Sequence, residues 1–173
     1  MSRLYATAPV GVTDQPEFRN AVVLLDVPPG PDPESGAMDL LVALKAIERQ
    51  FGRRRGKRWG PRLIDLDLEA FGPWAISVER VPGARSRVPA PAGVSLLIVP
   101  HASAQERLFV LAPWSDVAPD QRPPGWDETI AEARDRLVRA EPPDAVHAVA
   151  AWDPDAGAWV PERTGLRPLR DES

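Results

Sequence analysis

The stretch from Arg53 to Leu68, RRRGKRWGPRLIDLDL, constrains this chain more than any other. Six cations (Arg53, Arg54, Arg55, Lys57, Arg58 and Arg62) fall within ten residues, with no acid among them. Immediately afterwards the pattern alternates: Leu63, Ile64, Leu66 and Leu68 are apolar, and Asp65 and Asp67 are acidic. In a strand successive side chains point to opposite faces, which puts the two carboxylates on one face, roughly 6.5 Å apart along the chain. Carboxylates hold a hard cation such as Mg²⁺, and guanidinium forks grip phosphate oxygens bidentately. A basic loop feeding such a strand is therefore a device for Mg²⁺ and polyphosphate together. The same residues also fit a solvated charged loop beside a chance D-x-D, so the motif stands as a hypothesis to be tested by its context.

Composition narrows the classes. At 173 residues, 43% hydrophobic and 27% charged, the chain suits one soluble domain with a real core. Its net charge is −4, so the basic run is local on an acidic protein, which argues against a general nucleic-acid binder. There is no Cys, which excludes disulfides and thiolate metal sites and fits a reducing compartment. MSRLYATAPV lacks the apolar core of a signal peptide, and no run reaches membrane-spanning length. The expectation is a cytoplasmic protein.

Along the chain, Met1 to Thr7 reads as the end of a strand and Arg19 to Val27 as a second strand. A helix is expected from Met38 to Phe51, capped by Asp32 or Ser35, with Leu40, Leu41, Leu44, Ile47 and Phe51 on the buried face and Gly52 ending it. Gly72 to Gly93 reads as a long loop, Leu96 to Val99 as an apolar run ending in Pro100-His101, and Gln105 to Val117 as a short helical turn. Asp127 is a candidate cap for a last helix reaching about Leu137. Alternation from Val146 to Trp152 and a turn at Asp153 to Gly157 predict a hairpin, followed by a mobile tail.

Three ordered segments, LYATAPVGVTDQPEFRNAVV, LLVALKAIERQFGRRRGKRWGPRLIDLDLEAFG and VPHASAQERLFVLAP, closely resemble the hydroxymethyldihydropterin pyrophosphokinase family of folate biosynthesis. The most specific match is R-W-G-P-R-x-I-D-L-D, with TDQPxFxNAVV before it and VPH after it. The resemblance implies an α+β fold with a ferredoxin-like antiparallel sheet and helices on one face. It also implies transfer of the β,γ-diphosphoryl group of ATP to 6-hydroxymethyl-dihydropterin, with two Mg²⁺ ions. By position, Asp65 and Asp67 are similar to the metal ligands and, with Arg58 and Arg62, to the catalytic set. Arg53, Arg55, Trp59, Leu68, His101, Arg107, Lys45 and Glu48 fall at ATP-side positions. Thr7, Val10 and Asn20 match positions that read the pterin edge, and Phe18 and Phe109 match the aromatic pair that sandwiches its ring.

Residues 1–140 are expected to be the pterin pyrophosphokinase domain and 141–173 a C-terminal extension. The family's opening strand and helix have no counterpart in this sequence, so the chain is expected to be N-terminally truncated and poorly soluble or inactive as written. The missing strand's place would lie between the strand at Ala21–Val27 and the one at Leu63–Leu68, leaving a gap or a splayed sheet there, unless the C-terminal hairpin fills it. Other readings are an inactive copy that still binds nucleotide, a D-x-D glycosyltransferase, and an arginine-rich nucleic-acid module. The expected partners are ATP and the pterin, with no nucleic acid or membrane; any folate-pathway enzyme partner is left open.

Overall fold

The computed structural model describes residues 1–8, 16–28, 30–51, 64–85 and 95–161. It is an α+β protein whose described strands form two antiparallel sheets. In the larger sheet β1 (Leu4–Thr7) pairs on one edge with β2 (Phe18–Asn20) and on the other with β5 (Val146–Asp153), which in turn pairs with β6 (Ala158–Pro161). The smaller sheet joins β3 (Ile76–Glu79) to β4 (Leu96–Val99).

Among the described residues, three α-helices supply the cover. α1 (Pro33–Gln50) starts where the Asp32 side chain accepts the backbone N–H of Ser35, with Pro33 in the first turn, where its missing N–H costs nothing. It packs Ala37, Met38 and Leu41 against Leu68, Phe71, Ile76, Leu97 and Val99. α2 (Leu108–Val117) and α3 (Ile130–Ala140) share a second core built on Leu111, Trp114, Ile130 and Ala133. Full burial of a side chain such as Leu41 or Leu111 stabilises by about 1.5–3 kcal/mol. A third cluster, Tyr5, Leu108 and Ala112, seats α2 on the larger sheet. Asp116 clasps the same contact: it accepts from the backbone and guanidinium of Arg3 and from the Tyr5 hydroxyl.

Several expectations are corrected. The strand expected from Arg19 to Val27 is confined to Phe18–Asn20; its pairing runs out where Val22 exchanges two hydrogen bonds with Ser2, and Val23, Leu24 and Leu25 are exposed. Ile64 to Leu68 keeps its alternation, with Asp65 and Asp67 outward, but joins no ladder among the described residues. An extended segment becomes a strand only when a neighbour pairs with it, and propensity cannot supply the neighbour. The supposed loop from Gly72 onward contains β3, held by β4, and a 3-10 turn at Pro82–Ala84. The last helix is capped by Thr129 rather than Asp127, through a reciprocal box with Glu132.

The face of α1 is also rotated from expectation. Ile47 and Phe51 are 39% and 58% exposed, whereas Lys45 and Glu48 are 5% and 1% exposed. The C-terminal hairpin forms, but β5 lies on the edge of β1 opposite β2. Gly52, expected to end α1, and the tail from residue 162 lie outside the described residues, and the helix closes on Phe51 as its cap.

Candidate active site

Among the described residues, the Asp65–Asp67 segment is held by side chains and pairs with no neighbouring strand. Glu48 Oε1 accepts the backbone N–H of Leu66 at 2.7 Å. Lys45 Nζ donates to Glu48 Oε1 and to the Leu66 carbonyl, each at 2.7 Å. One residue of backbone thus has both polar groups satisfied by a buried ion pair from α1, three residues apart on the helix and so on the same face. Leaving those groups bare in the interior costs about 1–3 kcal/mol each, which explains why two charged residues displace Ile47 and Phe51 from the inner face. The clamp reaches the functional face too, because Lys45 Nζ lies 3.5 Å from Asp67 Oδ1.

Next along the segment, Glu69 and His101 meet. The His101 backbone N–H donates to the Glu69 carbonyl at 2.9 Å, and His101 Nδ1 stands 4.0 Å from Glu69 Oε2. Burial, reinforced by the negative charge of Asp67 and opposed by Arg107, pushes the Glu69 carboxyl up to about 7. Burial also lowers the His101 imidazole below its ordinary value; Asp67 opposes this, while Arg107, Arg80 and Lys45 add to it. Asp67, Lys45, His101 and Arg107, all singled out in the sequence, therefore share one electrostatic neighbourhood.

The second group lies on the larger sheet. Tyr5, Thr7, Phe18 and Asn20 face the same side of the β1–β2 pair, because cross-strand partners Tyr5–Asn20 and Thr7–Phe18 share a face and alternate residues repeat it. Asn20 Nδ2 donates to Thr7 Oγ1 at 3.0 Å, which orients the amide. α2 packs against β1, β2 and β5, and carries Phe109 beside Arg107, whose guanidinium carbon lies 5.7 Å from the centre of the Phe109 ring. Arg107 caps α2, so it links the Phe109 side to the Asp67–His101 side.

Val10, Arg53, Arg55, Arg58, Trp59 and Arg62 lie outside the described residues. Of the other residues expected on the ATP side, Lys45 and Glu48 bond the Leu66 backbone, and Leu68 is in the core. Glu69 was missed; its signal was the continuation of the alternation, Asp65, Asp67, Glu69, on one face.

The model of the 7,8-dihydro-6-hydroxymethylpterin-pyrophosphokinase (HPPK) family matches residues 1–119. The chain belongs to this family. Among its relatives, a Pseudomonas aeruginosa protein named 2-amino-4-hydroxy-6-hydroxymethyldihydropteridine pyrophosphokinase is 42% identical over 124 residues, covering 72% of this chain and 63% of that protein. A Methylorubrum extorquens protein of the same name is 38% identical over 133 residues, covering 77% of this chain and 69% of that protein. The Arabidopsis thaliana protein named folate synthesis bifunctional protein, mitochondrial, is 43% identical over 116 residues, covering 67% of this chain and 17% of that protein. The match with the Pseudomonas pyrophosphokinase spans less than two thirds of that protein's length. Membership of the HPPK family replaces the glycosyltransferase and nucleic-acid readings of the D-x-D and the basic run. Among the described residues, no helix is long and apolar enough to cross a membrane.

Proposed function

We propose that the protein transfers diphosphate from ATP to the hydroxymethyl group of 6-hydroxymethyl-dihydropterin, with Mg²⁺ as the metal. The observation that carries this reading is the clamped Ile64–Leu68 segment. It turns Asp65 and Asp67 outward from a fixed backbone, with Asp67 in the electrostatic neighbourhood of His101 and Arg107, in a chain of the pyrophosphokinase family. The donor set fits Mg²⁺: the cation takes oxygen ligands, retains waters, and is bound through one or two carboxylates plus substrate phosphates. Two carboxylates suffice for that. Asp65 and Asp67 would hold the metal, two ions by the family resemblance, and bound Mg²⁺ would neutralise charge on the polyphosphate oxygens.

The protein's own residues then divide the remaining work. Arg58 and Arg62 hold phosphate oxygens, with Arg53, Arg55 and Trp59 contributing from the same stretch of sequence, and His101 and Arg107 face the nucleotide. Lys45 and Glu48 act through the backbone of Leu66 rather than by touching ATP. Thr7, Val10 and Asn20 read the pterin edge, while Phe18 and Phe109 supply its stacking faces. In the transfer, the substrate hydroxyl oxygen bonds to the β-phosphorus, the bond from that phosphorus to the α-phosphate oxygen breaks, AMP leaves, and the hydroxyl proton is released. Positioning and charge stabilisation carry most of such a reaction. Residues 1–140 form the catalytic domain in this reading, and the hairpin beyond it is an extension. The cytoplasm is the proposed compartment, and nucleic acid and membrane are not proposed partners.

The test is AMP formation from ATP, Mg²⁺ and the pterin, followed by chromatography. The parent is expected to form AMP and pterin diphosphate in equal amounts, and Asp65→Asn and Asp67→Asn to lose about 100-fold or more of that rate while melting normally. Full activity in both variants would remove the metal assignment. A second reading, nucleotide binding without turnover, is favoured by residues 23–28 and 64–70 having no strand partner among the described residues. Mg²⁺-dependent nucleotide binding with no AMP formed would select it.

A further inference from the structure

Two buried polar atoms face each other with no hydrogen-bond partner: Glu69 Oε2 and His101 Nδ1. They are 4.0 Å apart, beyond hydrogen-bond distance. Buried side-chain polar atoms in folded proteins are overwhelmingly paired, so an orphan facing an orphan of complementary chemistry calls for an explanation. The main chains of the two residues are already joined by the 2.9 Å bond from the His101 N–H to the Glu69 carbonyl. Side-chain rotation alone therefore closes the gap. An imidazole N–H is a donor and a carboxylate oxygen an acceptor, whereas the other charged groups acting on His101, namely Arg107, Arg80 and Lys45, offer only donors, and Asp67 is the remaining acid.

We infer that Glu69 is a positioning residue for His101: its carboxylate accepts the Nδ1–H, fixing the ring's orientation and tautomer and leaving Nε2 as the atom turned toward the ligand. The ligand in question is the nucleotide polyphosphate of the proposed function, and only that last clause rests on it. The pairing itself is a statement about two side chains. It uses the general device in which a functional histidine is oriented through its second nitrogen by a carboxylate.

The chain holds two histidines, His101 and His147, which makes the ring nitrogens directly observable. In ¹⁵N-labelled protein held well above pH 7, where Glu69 is ionised, long-range ¹H–¹⁵N spectra distinguish the two neutral tautomers, and His147→Gln assigns the signals by removing one set. The expected result is His101 with its proton on Nδ1 in the parent and in Glu69→Gln, whose amide oxygen still accepts. In Glu69→Leu the ring should move toward the Nε2–H form that unconstrained imidazole prefers. A proton on Nε2 in the parent overturns the inference whatever the variants do, and so does an unchanged Nδ1–H form in folded Glu69→Leu. Where turnover is present, Glu69→Leu should raise KM for ATP several-fold with a smaller effect on kcat, and Glu69→Gln should restore it; an unchanged KM in Glu69→Leu counts against the assignment. Loss of turnover in every sample, parent included, counts against the proposed function and leaves the tautomer result to decide the role of Glu69.

Discussion

Replacing Lys45 with Met removes the centre of the clamp while keeping most of the stem's volume. The interactions lost include, among the described residues, Nζ to Glu48 Oε1 at 2.7 Å, Nζ to the Leu66 carbonyl at 2.7 Å, and the 3.5 Å approach to Asp67 Oδ1. Glu48, 1% exposed, keeps the Leu66 N–H but loses the lysine cation beside it. Removing one partner of a buried pair typically costs about 3–5 kcal/mol, chiefly because the surviving charge cannot be resolvated. A domain of ordinary stability has only about 5–15 kcal/mol in total. At about 2–4 °C per kcal/mol for a chain of this size, Lys45→Met should melt roughly 6–20 °C below the parent. Adding Glu48→Gln to the same chain removes that buried charge but keeps an acceptor for Leu66, so the double variant should regain about 0.5–3 kcal/mol over the single one. Thermal and urea unfolding of the parent, Lys45→Met, Glu48→Gln and the double variant close the cycle. A Lys45→Met protein within about 1 kcal/mol of the parent, in the range of an exposed pair, would refute the buried clamp.

Three further outcomes are expected. Titration calorimetry with the pterin and a non-hydrolysable ATP analogue should show Asn20→Ala weakened by about 1–3 kcal/mol. Phe18→Ala and Phe109→Ala should each lose about 0.5–1.5 kcal/mol beyond the area effect, and parent-like binding in all three variants would place the pocket elsewhere. The Arg3–Asp116–Tyr5 clasp should act at both ends of the pH scale: burial raises Asp116, but hydrogen bonds from Arg3 and Tyr5 outweigh it and hold the carboxyl below its ordinary 3.8, while burial and then the Asp116 charge push Tyr5 up to about 12 from 10.0. The Asp116 contribution is therefore present above pH 3.8 and lost as pH falls further, and the Tyr5 contribution is present below pH 10 and lost as pH rises toward 12; urea midpoints across pH, compared with Asp116→Asn, check both limbs. Thr129→Ala should cost about 0.5–2 kcal/mol by removing the α3 capping box, read from the same unfolding curves, and no loss would show the box to be idle.

What the sequence determined by itself is what depends on near neighbours. The period-2 pattern of Ile64 to Leu68 set Asp65 and Asp67 outward whether or not a strand lay alongside, because alternation is a property of extended backbone. Asp32 with Pro33 announced the start of α1, and the alternation from Val146 with its turn at Asp153–Gly157 announced the hairpin. The motif order around R-W-G-P-R-x-I-D-L-D was enough to indicate the family.

Tertiary structure decided wherever a polar group found its partner far along the chain. Hydrophobicity favoured Ile47 and Phe51 for the inner face of α1, yet the unpaired backbone of Leu66, 18 residues beyond Glu48, drew Lys45 and Glu48 inward. Residues 21–28 have strand-forming side chains but no described strand partner past Val22, so they are not a strand; Ile76–Glu79 has weaker ones and is a strand because β4 lies beside it. Glu69 meets His101, and Tyr5 meets Asp116 across 111 positions, through contacts that no local pattern encodes. Side-chain periodicity is written residue by residue, whereas the demand that every buried donor and acceptor be satisfied can be met only after the chain has folded back on itself.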